Sequence, residues 1–457
     1  MKRAKLFGVV FTAAFVLAYV FLVRRHYATI TPHAHQLPPH LPFRLEHFQY
    51  GIMFDAGSTG TRIHIFKFKM DTGDAPAVAR ETFRAIQPGL SAYADHPDEC
   101  AAGIVGLLEL AESTIPPSSW NATPVILKAT AGLRLLPFQK ANNLLEQVRA
   151  LFDTSPFLSR HDSVSIMDGT DEGISAWISI NFLIGSLHRV HSSTAGMLDL
   201  GGGSTQITFS PEGERSIQTS PMDYIRSFTV FNISRTLYVH SYLGLGLMSA
   251  RLAILGGVES PPLEGSTELS SPCLAAEYSG RWEYADMVFT VRGQKTGEEP
   301  YEACLARVEK VLDGKVSMAE TGDMDFYASS YYYNRAVDLG LIDEVEGGSV
   351  QVSDYIGAAK RVCSERPRNS PHDPFLCLDL LYISVLLQKL GFPPHKHLKL
   401  GPSTRWKPVG LLEQYSSPWR SCRPQTIKTC RQNPKDPPYY LSPRGLLVFV
   451  PSHQRMS

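Results

Sequence analysis

The chain has 457 residues, of which 43% are hydrophobic, so it is long enough to form two lobes of ordinary size around buried cores. Its 44 lysines and arginines balance its 44 aspartates and glutamates. This neutrality excludes a global electrostatic field that would recruit nucleic acid or an acidic surface, so any attraction for phosphate must be local.

The N-terminus carries a basic stub followed by an apolar stretch at 6–23, which is about 18 residues and just long enough to span a bilayer. The stretch exceeds a usual signal-peptide core and no small-x-small cleavage site follows it, which favours an uncleaved signal anchor. We therefore expect a cytoplasmic stub and transmembrane anchor at 1–25, a luminal stem at 26–47, and a luminal catalytic part. Sequons at Asn121 and Asn232 agree with this location and predict glycosylation.

A glycine-rich segment, FDAGSTGT at 54–61, lies between two apolar runs that predict β-strands. Glycines allow close backbone approach, successive N–H groups can form an anion nest, and Asp55 can hold a hard cation or its water. The segment has neither the Gly-Lys-Ser/Thr of a Walker loop nor the helix-opening glycines of a dinucleotide fingerprint. We predict a β-hairpin whose tip, with Ser58 and Thr59, binds a nucleotide phosphate. An ordinary Gly-Ser turn is the alternative.

A short apolar strand at 125–127 leads into the segment KATAGLR at 128–134. This order places the Thr130 hydroxyl and the Arg134 guanidinium at the end of a strand and the start of a helix. Helix N–H groups and a bidentate arginine suit a phosphate ligand. A surface helix residue is the alternative interpretation of Arg134.

The segment IMDGTDEG at 166–173 precedes a run at 174–184 that is apolar on nearly every face and predicts a buried helix. Glu172 falls in the first turn of this helix, where an acidic side chain commonly just complements the helix dipole. The competing role is that of a general base, which orients and deprotonates water near a terminal phosphate.

The segment LDLGGGSTQ at 198–206 repeats the pattern of the first glycine-rich segment, with an aspartate, glycines and hydroxyls between two predicted strands. A second phosphate-binding hairpin predicts a second, related lobe. The repeat also argues against an ordinary turn at either place.

These four segments resemble the first four conserved regions of the ectonucleoside triphosphate diphosphohydrolase (apyrase) family, in family order and spacing, and the resemblance covers about 50–400. The segment YLGLGLMSAR at 242–251 resembles the corresponding segment of the Golgi and secreted nucleoside diphosphatase branch. The resemblance implies an α/β fold with two ribonuclease-H-like lobes of the actin, Hsp70 and sugar-kinase type, and a nucleotide in the cleft between them. We expect lobe I at 48–170 and lobe II at 171–400.

The resemblance also implies hydrolysis of nucleoside diphosphates, with GDP, UDP and IDP preferred and triphosphates slower, using Ca²⁺ or Mg²⁺. It implies a single-pass type II Golgi membrane protein that supports glycosylation, with secreted or cell-surface forms as further locations. The residues that it assigns are the catalytic base Glu172; Ser204 and Gln206, which position the attacking water; Asp55 and Asp199, which hold the hydrated metal; and the phosphate-binding Ser58, Thr59, Gly202, Gly203, Thr130 and Arg134.

An aromatic segment, FYASSYYY at 326–333, lies where related enzymes place a base-stacking aromatic side chain. We predict base binding by Tyr331 and Tyr332, although a helical aromatic cluster is often simply core. Family members with a broad clamp have a second aromatic residue where this chain aligns Leu390. A one-sided clamp predicts loose discrimination between bases.

All seven cysteines lie beyond the predicted anchor. We predict disulfides between Cys273 and Cys304 and between Cys363 and Cys377, which coincide with the pairs of the family, and a free Cys100. Each bond closes a loop that would contribute about 3 to 4 kcal/mol in the chain-entropy model. The alternative is a cytosolic protein with buried, unpaired thiols.

The resemblance ends after about residue 400, where a tail at 401–457 replaces the fifth conserved region. Its prolines and lack of helical periodicity predict that it does not rebuild the helix that closes the first lobe. An inactive nucleotide-binding splice form, damaged by this loss, is therefore an alternative function. A sugar kinase of the same fold is disfavoured by the anchor and by the water-activating pair Glu172 and Gln206.

Overall fold

The computed structural model describes residues 47–70, 77–187, 193–211, 213–230, 233–257, 267–284, 287–295, 297–364, 373–401, 439–441 and 447–449. The predicted anchor and stem up to residue 46, Asn232 and most of the C-terminal tail lie outside these residues. In the described part of the chain, no helix is both long enough and apolar enough to cross a bilayer.

The first sheet has five strands in the order β3-β2-β1-β4-β5, in which the first three are antiparallel and the last two run parallel to β1. Its strands are β1 (His47–Ala56), β2 (Thr61–Met70), β3 (Ala77–Ile86), β4 (Val125–Ala129) and β5 (Val164–Ile166). Its helices are α1 (Ala101–Thr114), the short α2 (Ala131–Arg134) and α3 (Phe138–Thr154). Apolar residues of β1 and β4, such as Phe54 and Leu127, pack with Leu108 of α1 and Phe152 of α3 to form the first core.

The second sheet has seven strands in the order β14-β15-β13-β6-β7-β9-β8. Its strands are β6 (Gly196–Leu200), β7 (Ser204–Phe209), β8 (Ile225–Val230), β9 (Ile233–Leu243), β13 (Phe326–Ser330), β14 (Gly348–Gln351) and β15 (His397–Leu400). The strands β6, β7 and β9 are neighbours in the sheet, and each is antiparallel to the next. The strands β13 and β15 run parallel to β6. The topology of the first sheet is therefore repeated, with β8 and β14 added at the edges.

Helices cover both faces of the second sheet. They are α4 (Gly169–Leu183), α5 (Glu214–Thr219), α6 (Leu247–Leu255), α7 (Pro300–Leu312), α8 (Tyr331–Asp338), α9 (Val352–Ser364) and α10 (Leu376–Lys389). Because neighbouring residues of a strand face opposite sides, Met197 packs with Trp177 of α4 while Leu198 belongs to the larger core with α6, α9 and α10. The α/β fold with two related lobes is confirmed.

The remaining elements are small. They are the three-stranded sheet of β10 (Glu268–Ser271), β11 (Ser279–Tyr284) and β12 (Met287–Gly293), the pair of β16 (Tyr439–Leu441) and β17 (Leu447–Phe449), and the 3₁₀ turns Leu90–Tyr93, Pro97–Cys100, Pro117–Ala122, His161–Ser163 and Met222–Tyr224.

The structure contains both predicted disulfides, Cys273–Cys304 and Cys363–Cys377, and Cys100 is buried and free as predicted. The second bond joins the end of α9 to the start of α10, and its cysteines have a sequence separation of 14. We expect replacement of both Cys363 and Cys377 by serine to lower the free energy of unfolding by about 3 kcal/mol, because the open chain regains loop entropy. Urea titration of the oxidised wild type and the double variant measures this difference; equal midpoints and slopes would contradict the prediction.

His240 of β9 lies between two tyrosines, with its ring centroid 3.7 Å from that of Tyr224 and 4.3 Å from that of Tyr242. Burial lowers the pKa of His240 to about 4. The unfolded chain therefore binds more protons than the folded chain between the ordinary histidine pKa and pH 4, so stability falls as the pH is lowered through this window. We expect His240 to account for about 1 to 2 kcal/mol of lost stability between pH 7 and pH 5. Urea titrations at both pH values should show a smaller loss for His240→Phe, and an equal loss would contradict this.

Candidate active site

The two glycine-rich segments form equivalent hairpin tips in the two lobes. Asp55 pairs with Arg62 in the β1–β2 ladder, and Asp199 pairs with Gln206 in the β6–β7 ladder. Each aspartate is thus the second-to-last paired residue of the strand that enters the tip. The repeat in the sequence is therefore a repeat in backbone register.

The two tips lie against each other, and this contact depends on glycine. A methyl group on Gly202 would clash with Ser58 Oγ and would lie 3.0 Å from Thr59 Cγ2. Gly203 approaches Ala131 at the start of α2, and Gly132 approaches the backbone of Ser58. The structure therefore brings together the predicted phosphate-binding residues of both tips and of the strand-to-helix segment that carries Thr130 and Arg134.

The predicted catalytic residues form one hydrogen-bonded cluster. Arg134 Nη2 donates to Glu172 Oε2 at 2.6 Å and to Ser204 Oγ at 3.1 Å. Gln206 Nε2 lies 2.7 Å from Ser204 Oγ and 3.1 Å from Glu172 Oε2. Ser204 and Gln206 are buried, and Glu172 and Arg134 are half-buried. The cluster places a carboxylate, a guanidinium, a hydroxyl and an amide around one point where the second phosphate loop meets α4.

Glu172 reaches this cluster because α4 begins one turn before it. Asp168 is the N-cap of α4, and its side chain accepts a hydrogen bond from the Thr170 backbone N–H at 2.7 Å. At the other end of α4, Asn181 Nδ2 donates to the Ala195 carbonyl at 2.9 Å and Asn181 Oδ1 accepts from the Ala195 N–H at 2.8 Å. The helix that carries Glu172 is therefore held at both ends. Its C-terminal end is hydrogen-bonded to Ala195, the residue that precedes β6.

The two predicted metal-holding carboxylates are nearly buried, with 7% of Asp55 and 3% of Asp199 exposed. Arg62 Nη1 lies 3.3 Å from Asp55 Oδ2. Asp199 Oδ1 accepts hydrogen bonds from Ser329 Oγ at 2.9 Å and from Ser330 Oγ at 2.6 Å. Among the described residues, no three His, Cys, Asp or Glu side chains form a group that could enclose a metal ion. One carboxylate from each lobe suits a divalent cation that keeps several waters and completes its shell with substrate phosphates.

The two tyrosines predicted to bind the base have different environments. Tyr331 is half-buried, and burial raises the pKa of its hydroxyl, an effect that the neighbouring Arg251 and Thr59 side chains partly offset. Tyr332 has no exposed area, because its ring packs in the core of the second lobe. A ring without an exposed face cannot stack on a base, so the prediction for Tyr332 does not fit the structure. Leu390 is also buried.

Three site residues were missed in the sequence. Ser241 of β9 pairs with Gln206 in the ladder, and Gln206 Nε2 lies 2.9 Å from its hydroxyl. Ser329 and Ser330 reach Asp199 from the neighbouring strand β13. No signal in the sequence marked Ser241, because its contact with Gln206 depends on the pairing of β9 with β7. Ser330 has a φ of 60°, which is uncommon for a residue other than glycine and marks the turn between β13 and α8.

The part of the chain that is similar to known proteins is the part that forms the two large sheets. The family model of the GDA1/CD39 (nucleoside phosphatase) family matches residues 43–400. Ectonucleoside triphosphate diphosphohydrolase 6 of Mus musculus is 55% identical over 352 residues, which are 77% of this chain and 77% of the relative. Nucleoside diphosphate phosphatase ENTPD5 of Homo sapiens is 48% identical over 355 residues, covering 77% of this chain and 82% of the relative.

A solved structure shows the same fold at low sequence identity. The nucleoside triphosphate hydrolases from Neospora caninum give a TM-score of 0.52 at 16% identity, with 78% of this chain and 88% of that chain covered. The chain thus has a two-lobed α/β fold that resembles the actin and Hsp70 type. The chain belongs to the GDA1/CD39 (nucleoside phosphatase) family and is an enzyme of the nucleoside phosphatase class. The resemblance seen in the sequence is confirmed.

Proposed function

We propose that the chain hydrolyses nucleoside diphosphates to nucleoside monophosphate and phosphate with the help of a divalent cation. The observation that carries this proposal is the cluster in which Glu172, Ser204 and Gln206 converge on one point beside the phosphate loops. Two relatives support it: an ectonucleoside triphosphate diphosphohydrolase that is 55% identical and a nucleoside diphosphate phosphatase that is 48% identical.

The cluster suits the activation of water. Gln206 Nε2 donates to Glu172 Oε2 and to Ser204 Oγ, so it holds the carboxylate and the hydroxyl beside each other. A water that donates one proton to Glu172 at this point would be oriented with a lone pair toward the terminal phosphate, and Glu172 would accept its proton during attack.

Arg134 has two roles in this proposal. Its contacts with Glu172 and Ser204 fix the position of both side chains, and its charge lowers the repulsion between the carboxylate and an anionic substrate. The tips of the two hairpins would bind the phosphates through Ser58, Thr59, Gly202 and Gly203, with Thr130 beside them. Phosphoryl transfer asks a protein mainly for positioning and charge neutralisation, which these residues supply.

Asp55 and Asp199 would hold a Ca²⁺ or Mg²⁺ ion through its waters. Such an ion, when bound, would neutralise negative charge on the phosphates. The hydrogen bonds from Ser329 and Ser330 to Asp199 Oδ1 orient that carboxylate, which is the role that outer residues commonly play around bound metals.

We infer that the enzyme acts in the lumen of the secretory pathway, as a type II membrane protein of the Golgi. Two disulfides in the structure favour an oxidising compartment. Asn121 is exposed on its 3₁₀ turn, which would let a glycan attach. A luminal enzyme of this kind would clear the diphosphates left by glycosyltransferases. The base would be held by Tyr331, whose single accessible ring would accept GDP, UDP and IDP with little discrimination.

A substrate panel tests this function. We expect the full-length chain to release phosphate from GDP, UDP and IDP at comparable rates and faster than from GTP, with Ca²⁺ or Mg²⁺ present and no release in a chelator. Faster hydrolysis of GTP than of GDP would contradict the diphosphate preference. Phosphate transfer to a sugar would support the kinase alternative.

The inactive nucleotide-binding form is not favoured, because the side chains proposed as the base and as the water-positioning pair lie within hydrogen-bonding distance of one another. The family match ends at residue 400, and the tail beyond it lies mostly outside the described residues. Binding of GDP by a folded chain without any phosphate release would establish this alternative.

A further inference from the structure

A buried ionic network lies in the second lobe behind the candidate active site. Arg251 of α6 donates to Asp379 of α10 through Nε at 2.7 Å and through Nη2 at 2.5 Å. Arg335 Nε of α8 lies 3.1 Å from Asp379 Oδ2. Both arginines also lie 3.2 Å from Asp373 Oδ2. Asp379 is fully buried and Arg251 is 5% exposed. We call these four residues the Arg251 network.

The first connection of the Arg251 network runs through α6 to the second phosphate loop. The Leu247 N–H donates to the Gly201 carbonyl at 2.8 Å. The N–H groups of Met248 and Ser249 donate to the Gly202 carbonyl at 2.9 and 3.1 Å. The first turn of α6 therefore holds the backbone of the loop, and Arg251 is one turn further along the same short helix. A shift of α6 would move the carbonyls of Gly201 and Gly202 with it.

The second connection runs through α8 to Asp199 and to Tyr331. Helix α8 begins directly after Ser330, which donates to Asp199 Oδ1, and Tyr331 is the first residue of this helix. Arg335 follows one turn later. The orientation of α8 thus sets the position of Tyr331, which is the residue proposed to bind the base, and of the Ser330 hydroxyl on Asp199.

Asp379 is where the two connections meet. Its carboxylate binds Arg251 in a two-point hydrogen-bonded contact and forms an ion pair without a hydrogen bond with Arg335 Nε, so one side chain of α10 links α6 and α8. The Cys363–Cys377 disulfide holds the start of α10 two residues earlier. A two-point contact between a guanidinium and a carboxylate fixes the relative orientation of the two groups. When such a pair is buried, its net contribution to the free energy of unfolding is commonly small.

We propose that Arg251 and Asp379 are positioning residues for nucleotide binding, which set the distance between the second phosphate loop and Tyr331. This inference rests on the proposed function, because it takes the base to lie against Tyr331. It goes beyond that function in assigning the spacing of the cleft to residues that touch neither phosphate nor base.

The test uses the full-length chain with two variants. Asp379→Asn keeps the shape of the side chain but removes the charge that Arg251 and Arg335 share. Arg251→Met combined with Asp379→Leu removes both charges and fills the space with apolar groups, an exchange that proteins often tolerate without loss of stability. Val308→Ala, a buried truncation in α7 of the same lobe, is the control for destabilisation alone.

We expect both network variants to raise KM for GDP and to weaken binding of the methylene-bridged GDP analogue by about 10-fold or more. The reason is that a shift of about 1 Å in the groups that hold the nucleotide is enough to lose a large part of its binding and alignment. Val308→Ala should lower the melting temperature and leave both values unchanged. A folded double variant with wild-type KM and wild-type analogue binding would overturn the proposal, as would loss of folding in both network variants. If the wild type released no phosphate from GDP, the proposed function would fail, while calorimetric binding of the analogue would still test the network.

Discussion

Replacement of Glu172 by glutamine is expected to lower kcat for GDP by about 10² to 10⁴-fold, with little change in KM. Glutamine keeps the size of the side chain and can still hydrogen-bond to Arg134 and Gln206, but it cannot accept a proton from water. The carboxylate lies 2.6 Å from Arg134 and 3.1 Å from Gln206, so the substitution leaves a packed site rather than a cavity. Continuous measurement of phosphate release, with the melting temperature of each protein, gives the comparison.

The matched control is Asp171→Asn, which removes the neighbouring carboxylate from the same turn of α4. Asp171 is exposed and belongs to no contact of the catalytic cluster that we describe. We expect Asp171→Asn to keep kcat within about twofold of wild type, as is usual for exposed positions away from the chemistry. Comparable activity of Glu172→Gln and wild type would mean that Glu172 only complements the dipole of α4.

Replacement of Gly246 by alanine is expected to abolish most activity and to lower stability by about 1 to 3 kcal/mol. A methyl group at this position would lie 2.5 Å from the carbonyl carbon and oxygen of Gly202. These are backbone atoms of the second phosphate loop, so they cannot yield as a flexible side chain would. The loop would have to move away from α6, and Ser204, which follows in the same loop, would move with it. Phosphate release and urea titration measure the two effects.

Gly106→Ala is the matched control for this prediction. Gly106 lies in the middle of α1, and a methyl group there would meet no atom within 4 Å. Because alanine is the better helix former, we expect Gly106→Ala to keep full activity and to gain about 0.5 to 1 kcal/mol of stability. If Gly246→Ala retained wild-type activity, close packing of the loop on α6 would not be needed for catalysis.

The repeated pattern of aspartate, glycines and hydroxyls was enough to predict both hairpins and the two related lobes. Local information sufficed there, because the strands on either side of each tip are adjacent in the sequence and pair across a short turn. The buried helix α4 was predicted for the same reason, since a run that is apolar on nearly every face needs cover on all sides. The disulfide pairs came with the family resemblance rather than from the spacing of the cysteines.

The contacts that complete the site could not be predicted in this way. The side chains of Arg251 and Asp379 meet across 128 positions, and Ser329 reaches Asp199 across 130 positions. Only the order of the strands and the packing of the helices bring such residues together. The different burial of Tyr331 and Tyr332 could not be predicted either: neighbouring residues of a helix point in different directions, so Tyr332 faces the core while Tyr331 stays half-buried.

The central claim is that water, activated at Glu172, attacks the terminal phosphate of a nucleoside diphosphate. The most direct test is hydrolysis of GDP by the full-length chain in ¹⁸O-labelled water with a divalent cation, followed by mass spectrometry of both products. We predict one GMP for each phosphate, with one ¹⁸O atom in the phosphate and none in GMP, and labelled phosphate formed about 10² to 10⁴ times more slowly by Glu172→Gln. Absence of phosphate release from the folded wild type, or label found in GMP, would contradict the claim.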